Sequence, residues 1–192
     1  EATQEFERKF SEWLGVKYSV FVNSGSSAVM LMVYALKYVY GVDRIAVPAL
    51  SWSADVSHLI QFGIEPVLID CNMDDLGLDM DHLEEVFKEG NVQAVLSVSV
   101  LGLPPQMLKL EMMCKKYGVM LLGDNCESIG SKVGQRNLGT YGLMSAHSFY
   151  FGHQMSTIEG GMISTDDKEF YDLLLMLRSH GWSRNLDEDR KE

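Results

Sequence analysis

Short apolar segments alternate along this chain with stretches whose apolar residues repeat at helical spacing. The segments predicted as strands are 18–22, 45–47, 66–69, 94–98, 119–122, 146–150 and 162–165. Helical spacing covers 1–14, 54–61, 81–88, 105–117 and 168–180, and a further apolar helix runs from the serine-rich segment 23–27 to about residue 40. This alternation predicts an α/β fold, with a mostly parallel sheet covered by helices on both faces. A chain of 192 residues is long enough for one such domain.

Charge and cysteine content exclude several classes of function. The net charge is −11 and no stretch concentrates Lys and Arg, which disfavours nucleic-acid binding because that binding depends on cationic side chains. The three cysteines, Cys71, Cys114 and Cys126, are far apart and form no C-x-x-C pair. They indicate neither a disulfide framework nor a zinc site. No apolar run reaches the length of a membrane span and no signal peptide opens the sequence. We therefore expect a soluble cytoplasmic protein with no metal, nucleic-acid or membrane partner.

A serine- and glycine-rich turn, Ser24-Gly25-Ser26-Ser27, lies between the first predicted strand and a long helix. Backbone N–H groups at the start of a helix lack intrahelical acceptors, and glycine permits a close approach, so a phosphate could bind there. Serine is also a preferred N-cap residue, so helix capping alone would account for the same residues. The turn alone does not decide between these interpretations.

Three further residues follow predicted strands at the edge where open α/β sheets bind ligands. Asp124 ends the apolar run 119–124, and Glu127 follows it. A carboxylate there could pair with a protonated heterocyclic nitrogen, or it could be a solvated turn residue. Trp52 comes just after another strand, where its face could stack on a planar ring or could simply belong to the core.

The stretch 148–161 reads Ser-Phe-Tyr-Phe-Gly-His-Gln-Met-Ser-Thr-Ile-Glu-Gly-Gly. An aromatic strand breaks at Gly152 and a strand resumes after Gly160-Gly161, so the polar loop between them displays His153. Histidine titrates near neutral pH and can take and return protons. A lone loop histidine can equally be a solvated residue.

The joint order of these motifs resembles the nucleotide-sugar aminotransferase and dehydratase family of fold type I pyridoxal-phosphate enzymes. The resemblance extends over nearly the whole chain. The stretches 148–161 and Arg-Ser-His-Gly-Trp at 178–182 are most similar to members that act as dehydratases. The fold that the resemblance implies is the large, cofactor-binding domain of a fold type I enzyme.

The resemblance also implies contacts with pyridoxal 5'-phosphate or its pyridoxamine form. Gly25 and Ser26 would bind the cofactor phosphate, and the Ser148 hydroxyl would add to the same contact. Trp52 would stack on the pyridine ring. Asp124 would pair with the ring nitrogen and keep it protonated, so that the ring can act as an electron sink.

Three more residues receive roles from the resemblance. His153 occupies the position of the Schiff-base lysine of the aminotransferases and would be the catalytic base. Glu127 would lie near the phenolic oxygen of the ring, and His180 would contact the sugar. Without a lysine at position 153, retention of the cofactor would depend on non-covalent contacts.

The reaction that the resemblance implies is removal of the C3 hydroxyl from a 4-keto-6-deoxy nucleotide sugar. The expected nucleotide is GDP, and the expected amino donor is glutamate. Family members are longer than this chain, so we expect 1–192 to be the large domain without the C-terminal small domain, in a protein that forms a homodimer.

Three alternatives stay open. They are an iron–sulfur CDP-sugar 3-dehydrase, a sugar aminotransferase, which would need a lysine that 133–167 does not contain, and a non-catalytic truncated domain.

Overall fold

The computed structural model describes residues 2–186, so residue 1 of the predicted first helix and the charged run 187–192 lie outside the described residues. Its strands are β1 (Tyr18–Val22), β2 (Arg44–Pro48), β3 (Glu65–Ile69), β4 (Ala94–Val98), β5 (Met120–Asp124), β6 (Lys132–Val133), β7 (Arg136–Asn137), β8 (Met144–Ser148) and β9 (Gly161–Thr165). Its helices are α1 (Ala2–Leu14), α2 (Gly25–Tyr40), α3 (Ser53–Gln61), α4 (Met80–Lys88), α5 (Met107–Tyr117) and α6 (Lys168–Arg178). Within this range no helix has both the length and the apolar character to span a bilayer.

Seven strands form one sheet in the order β1-β9-β8-β5-β4-β2-β3, and β6 and β7 form a separate small hairpin. Strands β2, β3, β4, β5 and β8 are parallel. Strand β9 is antiparallel to both of its neighbours, β8 and β1. A parallel pair needs a crossover connection, whereas β8 and β9 are joined by the helix-free loop 149–160, which returns the chain antiparallel. The predicted α/β fold with a mostly parallel sheet is confirmed.

Alternate residues of the central strands face two separate apolar cores, as the two-residue period of a strand requires. Leu96 and Leu122 pack in the larger core, with residues of α2, α3 and α6. Val95 and Leu121 pack in a second core, with residues of α4 and α5. Helices on both faces therefore bury the sheet, which leaves the ends of its strands as the places where a ligand can enter.

Most predicted boundaries differ from the structure by one or two residues, and two of these differences bear on the candidate site. The strand predicted at 146–150 is Met144–Ser148, because the aromatic residues Phe149 and Tyr150 already belong to the turn into the loop. The helix predicted to reach residue 180 ends at Arg178. His180 has a φ of 62°, in the left-handed region, which a helix interior does not accommodate.

Helix α1 packs against the start of loop 149–160. The ring of Phe149 is fully buried, with ring centroids 5.1 Å from Phe6 and 5.5 Å from Phe10. On the same side, the Arg178 guanidinium donates to the Glu7 carboxylate and, at 2.9 Å, to the Phe21 carbonyl. These contacts tie α1, β1 and α6 together and hold the base of the loop in place.

Candidate active site

A cavity of about 650 Å³ opens at the carboxyl ends of the central strands. This is the edge at which open α/β sheets bind ligands. Seven of the eight predicted site residues line it: Gly25, Ser26, Trp52, Asp124, Glu127, Ser148 and His153. They come from four separate segments of the chain, so the fold brings together motifs that are far apart in sequence.

One part of the cavity wall is the N-terminus of α2. The Ser24 hydroxyl accepts the Ser27 N–H at 3.0 Å and so caps the helix. The Gly25 and Ser26 amides have no acceptor among the described residues. The cap satisfies one N–H and leaves two others at the positive end of the helix dipole, so capping of α2 is compatible with an anionic ligand at the same place.

Glycine is required at position 25 by close packing. A Cβ there would lie 2.6 Å from the Ser148 Cβ and 2.8 Å from the Cys126 Sγ. The absence of a side chain thus lets the helix start, the end of β8 and the segment after β5 meet. As a result, the Ser148 hydroxyl lies beside the free amides at the start of α2, where it can add a donor for the same anion.

Another part of the cavity wall carries the Asp124 carboxylate, which is buried at the end of β5. Its Oδ1 accepts the Cys126 N–H at 2.9 Å. Burial, together with the nearby charge of Asp124, raises the pKa of the Cys126 thiol well above its usual range, so this thiol is neutral and unreactive. Within residues 2–186 no Lys or Arg lines the cavity, so the Asp124 carboxylate can pair with a cationic group of a ligand.

The cavity therefore presents a partially positive helix start and a carboxylate to the same space. A ligand with a phosphate and a protonated ring nitrogen matches both features, and the cofactor of the family has these two groups. Trp52 at the rim is 69% exposed, so one face of its ring is open to a planar partner. Among residues 2–186, no group of three or more His, Cys, Asp or Glu side chains could hold a metal ion.

His153 reaches the cavity from loop 149–160. Its backbone N–H donates to the Tyr150 carbonyl at 3.0 Å, and the two rings have centroids 5.8 Å apart. The side chain is half-buried. Among residues 2–186 no lysine lines the cavity, and the loop contributes His153 together with Tyr150 and Glu159. Of these three side chains, the imidazole is the one whose ordinary pKa is close to neutral pH, which makes His153 the candidate for moving a proton.

Glu127 joins this loop to the sheet. Its Oε2 accepts the Leu101 N–H at 2.6 Å, and its carbonyl accepts a hydrogen bond from the Gln154 side chain. Leu101 has a φ of 54°, a conformation that non-glycine residues seldom adopt. Glu127 therefore stabilises a strained turn, and it also anchors Gln154, the residue next to His153.

One predicted site residue is not brought to the cavity. His180 lies beyond the end of α6, with its ring centroid 6.2 Å from that of Trp182, and it is not among the lining residues. Its contact with a sugar stays a prediction.

Two residues of the site region were missed by the sequence analysis. Cys126 lines the cavity floor, but it was considered only as one of three scattered thiols. Asp55 lies behind Asp124 and is fully buried. Its one sequence signal is an acidic residue three positions after Trp52, in the first turn of a helix, and such a residue is usually exposed.

Comparison with known proteins gives a consistent result. The profile of the DegT/DnrJ/EryC1/StrS aminotransferase family matches residues 1–192. GDP-4-keto-6-deoxy-D-mannose 3-dehydratase of Yersinia pseudotuberculosis is 40% identical over 98% of this chain and 49% of its own length. GDP-perosamine synthase of Escherichia coli O157:H7 is 30% identical over 93% of this chain and 48% of its own. The chain thus spans about half the length of the curated relatives that it matches.

Solved structures agree with the sequence comparison. The E. coli GDP-4-keto-6-deoxy-D-mannose-3-dehydratase with bound hydrated PLP superimposes with a TM-score of 0.93 at 38% identity, over 97% of this chain and 49% of that one. A GDP-4-keto-6-deoxymannose-3-dehydratase structure with a trapped PLP-glutamate geminal diamine gives a TM-score of 0.93 at 37% identity, over 97% and 50%.

Proposed function

Since this chain belongs to the DegT/DnrJ/EryC1/StrS aminotransferase family, we propose that the full protein removes the C3 hydroxyl of GDP-4-keto-6-deoxymannose, with pyridoxamine phosphate as its working cofactor. The observation that carries this proposal is His153, which faces the cavity from loop 149–160, while no lysine of the described residues lines the wall. A histidine can move protons but cannot hold the cofactor as an imine, and this favours elimination over transamination.

The residues of the cavity supply the contacts that the cofactor needs. The Gly25 and Ser26 amides and the Ser148 hydroxyl would hold the phosphate, which is supported by the free amides at the start of α2. Asp124 would pair with the ring nitrogen, and Trp52 would cover the ring from the rim. When it is bound in this way, the protonated ring supplies an electron sink.

The His153 imidazole would take the proton from the carbon that bears the cofactor's amino group, and so release electrons towards the sugar C3–O bond. Glu127 would hold this loop in place, since its carboxylate accepts the Leu101 N–H and its backbone carbonyl accepts a hydrogen bond from the Gln154 side chain. Its proposed proximity to the phenolic oxygen of the ring agrees with its place on the cavity wall.

The relatives that this chain resembles suggest its partners. We propose that glutamate supplies the amino group, that ammonia leaves when the product hydrolyses, and that the full protein is a cytoplasmic homodimer in which His180 contacts the sugar. The product would be a 3,6-dideoxy-4-keto sugar, of the type used to make colitose for lipopolysaccharide O-antigens.

A direct assay tests the function. The full protein, incubated with GDP-4-keto-6-deoxymannose, pyridoxal phosphate and glutamate, should form the 3-deoxy ketone and release ammonia. In deuterated water the product should carry deuterium at C3, because a solvent proton must be added there. Mass spectrometry and NMR of the product check both points. An amino sugar that retains its C3 hydroxyl would show that the protein is an aminotransferase instead.

The cofactor should be held without a covalent bond. Pyridoxal phosphate added to the full protein should be lost on dialysis, and borohydride treatment before digestion should leave residue 153 unmodified, because an imidazole forms no reducible imine. Peptide mass spectrometry provides the measurement. A related aminotransferase with a lysine, treated in parallel, should give the labelled peptide. A stable reduced adduct on residue 153 would contradict the proposal.

A further inference from the structure

Asp55 and Asp124 form a buried pair of carboxyl groups without a cation. Asp55 is 0% exposed, in the first turn of α3. Its Oδ2 accepts the Trp52 N–H at 3.2 Å, and its Oδ1 has no partner among residues 2–186 that could donate to it. An ionised carboxylate in this position would be both desolvated and next to a second negative charge, which is strongly unfavourable.

The pKa of Asp55 indicates how the pair avoids carrying two buried negative charges. Burial first, then the charge of Asp124 and a direct hydrogen bond between the two side chains, raise the pKa of Asp55 to about 9. The other ionisable side chains of the same cavity are the neutral Cys126 thiol, Glu127, Tyr150, His153 and Glu159. Asp55 is therefore protonated at neutral pH, and its O–H can donate to the carboxylate that Asp124 presents to the cavity.

We propose that Asp55 is a positioning residue that shares its proton with Asp124, so that the pair carries a single negative charge directed at the cavity. Asp55 is not among the lining residues, so it acts through Asp124 and not on a ligand. Its O–H and the Cys126 N–H fix the Asp124 carboxylate from behind. Because both are donors, they hold the negative charge on Asp124 and leave it ready for a cationic ring nitrogen.

The pairing of Asp124 with a cofactor nitrogen rests on the proposed function. The proton shared by Asp55 and Asp124 does not depend on it. A carboxyl group that stays protonated only in the folded protein makes folding less favourable as pH rises from the unfolded pKa, near 4, towards the folded value of about 9. Thermal unfolding of the protein without cofactor can therefore test the pair by itself.

The first experiment compares the full protein with Asp55→Asn between pH 5 and pH 9. The amide mimics the protonated carboxyl group but cannot ionise, so the variant should become more stable than the parent by about 2 °C in Tm per pH unit. Asp74→Asn, which removes an equal charge from an exposed loop position, should follow the parent. A difference between Asp55→Asn and the parent that stays constant over this range would overturn the proposal.

A second measurement needs no variant. With isotope-labelled aspartate, the infrared spectrum of the parent at pH 7 should contain the carbonyl stretch of a protonated carboxyl group, which fades as the pH passes about 9. Absence of this band in the folded protein at pH 7 would overturn the proposal.

The positioning role is tested by binding of pyridoxamine phosphate. Asp55→Asn still offers an N–H to Asp124 and should keep the affinity, whereas Asp55→Ala should lose about tenfold, the effect of one hydrogen bond to a charged group. Equal losses in both variants would overturn the positioning role. If the parent itself does not bind pyridoxamine phosphate, the proposed function fails, while the thermal and infrared results still decide whether the proton is shared.

Discussion

Replacing Asp124 with asparagine should lower the turnover of the full protein roughly a thousandfold or more, about 4 kcal/mol in activation free energy. The amide keeps the shape of the carboxyl group but not its charge, so a ring nitrogen paired with it loses its proton and the electron sink is weakened. Product formation from GDP-4-keto-6-deoxymannose in the presence of glutamate is the measurement.

The fold of this variant should persist, because asparagine can still accept the Cys126 N–H. Asp55 cannot take over the contact with the ring, since it does not line the cavity. Circular dichroism and the thermal transition provide the control. Full turnover in Asp124→Asn would mean that Asp124 is only a residue of the turn after β5.

Replacing His153 with lysine should abolish the 3-deoxy product. A lysine in loop 149–160 can reach the cofactor aldehyde and bind it covalently, which should give a visible absorbance band that the parent lacks. It can also return a proton to the cofactor carbon, which favours transamination, so traces of a 4-amino sugar are expected. Absorbance, borohydride trapping and product analysis measure these effects.

His153→Gln is the matched control for this change, because glutamine neither moves the proton nor binds the aldehyde. It should lose the 3-deoxy product without gaining the absorbance band. If His153→Lys continues to form 3-deoxy product at the parental rate, then residue 153 is not the base.

Local patterns in the sequence were enough to predict the fold, whereas the roles of the candidate site residues came from the family resemblance. The alternation of short apolar strands with amphipathic helices depends on two periodicities that can be read directly. Ser24–Ser27, Asp124 and His153 each follow or precede a strand, and parallel strands carry such positions to one edge of the sheet. Their individual interpretations were ambiguous, and only their convergence in one cavity distinguishes a binding site from separate caps and turns.

The features that sequence reasoning missed depend on tertiary contacts. Asp55 looks like an ordinary acidic residue in the first turn of a helix, and its burial beside Asp124 follows from tertiary packing, in which α3 contacts α2, β2 and β3. Phe149 and Tyr150 have high strand propensity, yet the chain leaves the sheet after Ser148. The left-handed backbone of His180 likewise has no local signal, because glycine follows it rather than occupying that position.

The antiparallel pairing of β1 with β9 has a consequence for how the protein acquires its site. This ladder joins Val22 to Gly161 and Tyr18 to Thr165, so it closes a loop that contains nearly the whole described chain. Closing contacts of such large sequence separation costs chain entropy and slows folding. The turn Ser24–Ser27 follows β1 and the loop 149–160 precedes β9, so this ladder brings the two together. Because the larger core also contains Val22 of β1 and Ile163 of β9, the cavity is completed together with that core and not after it.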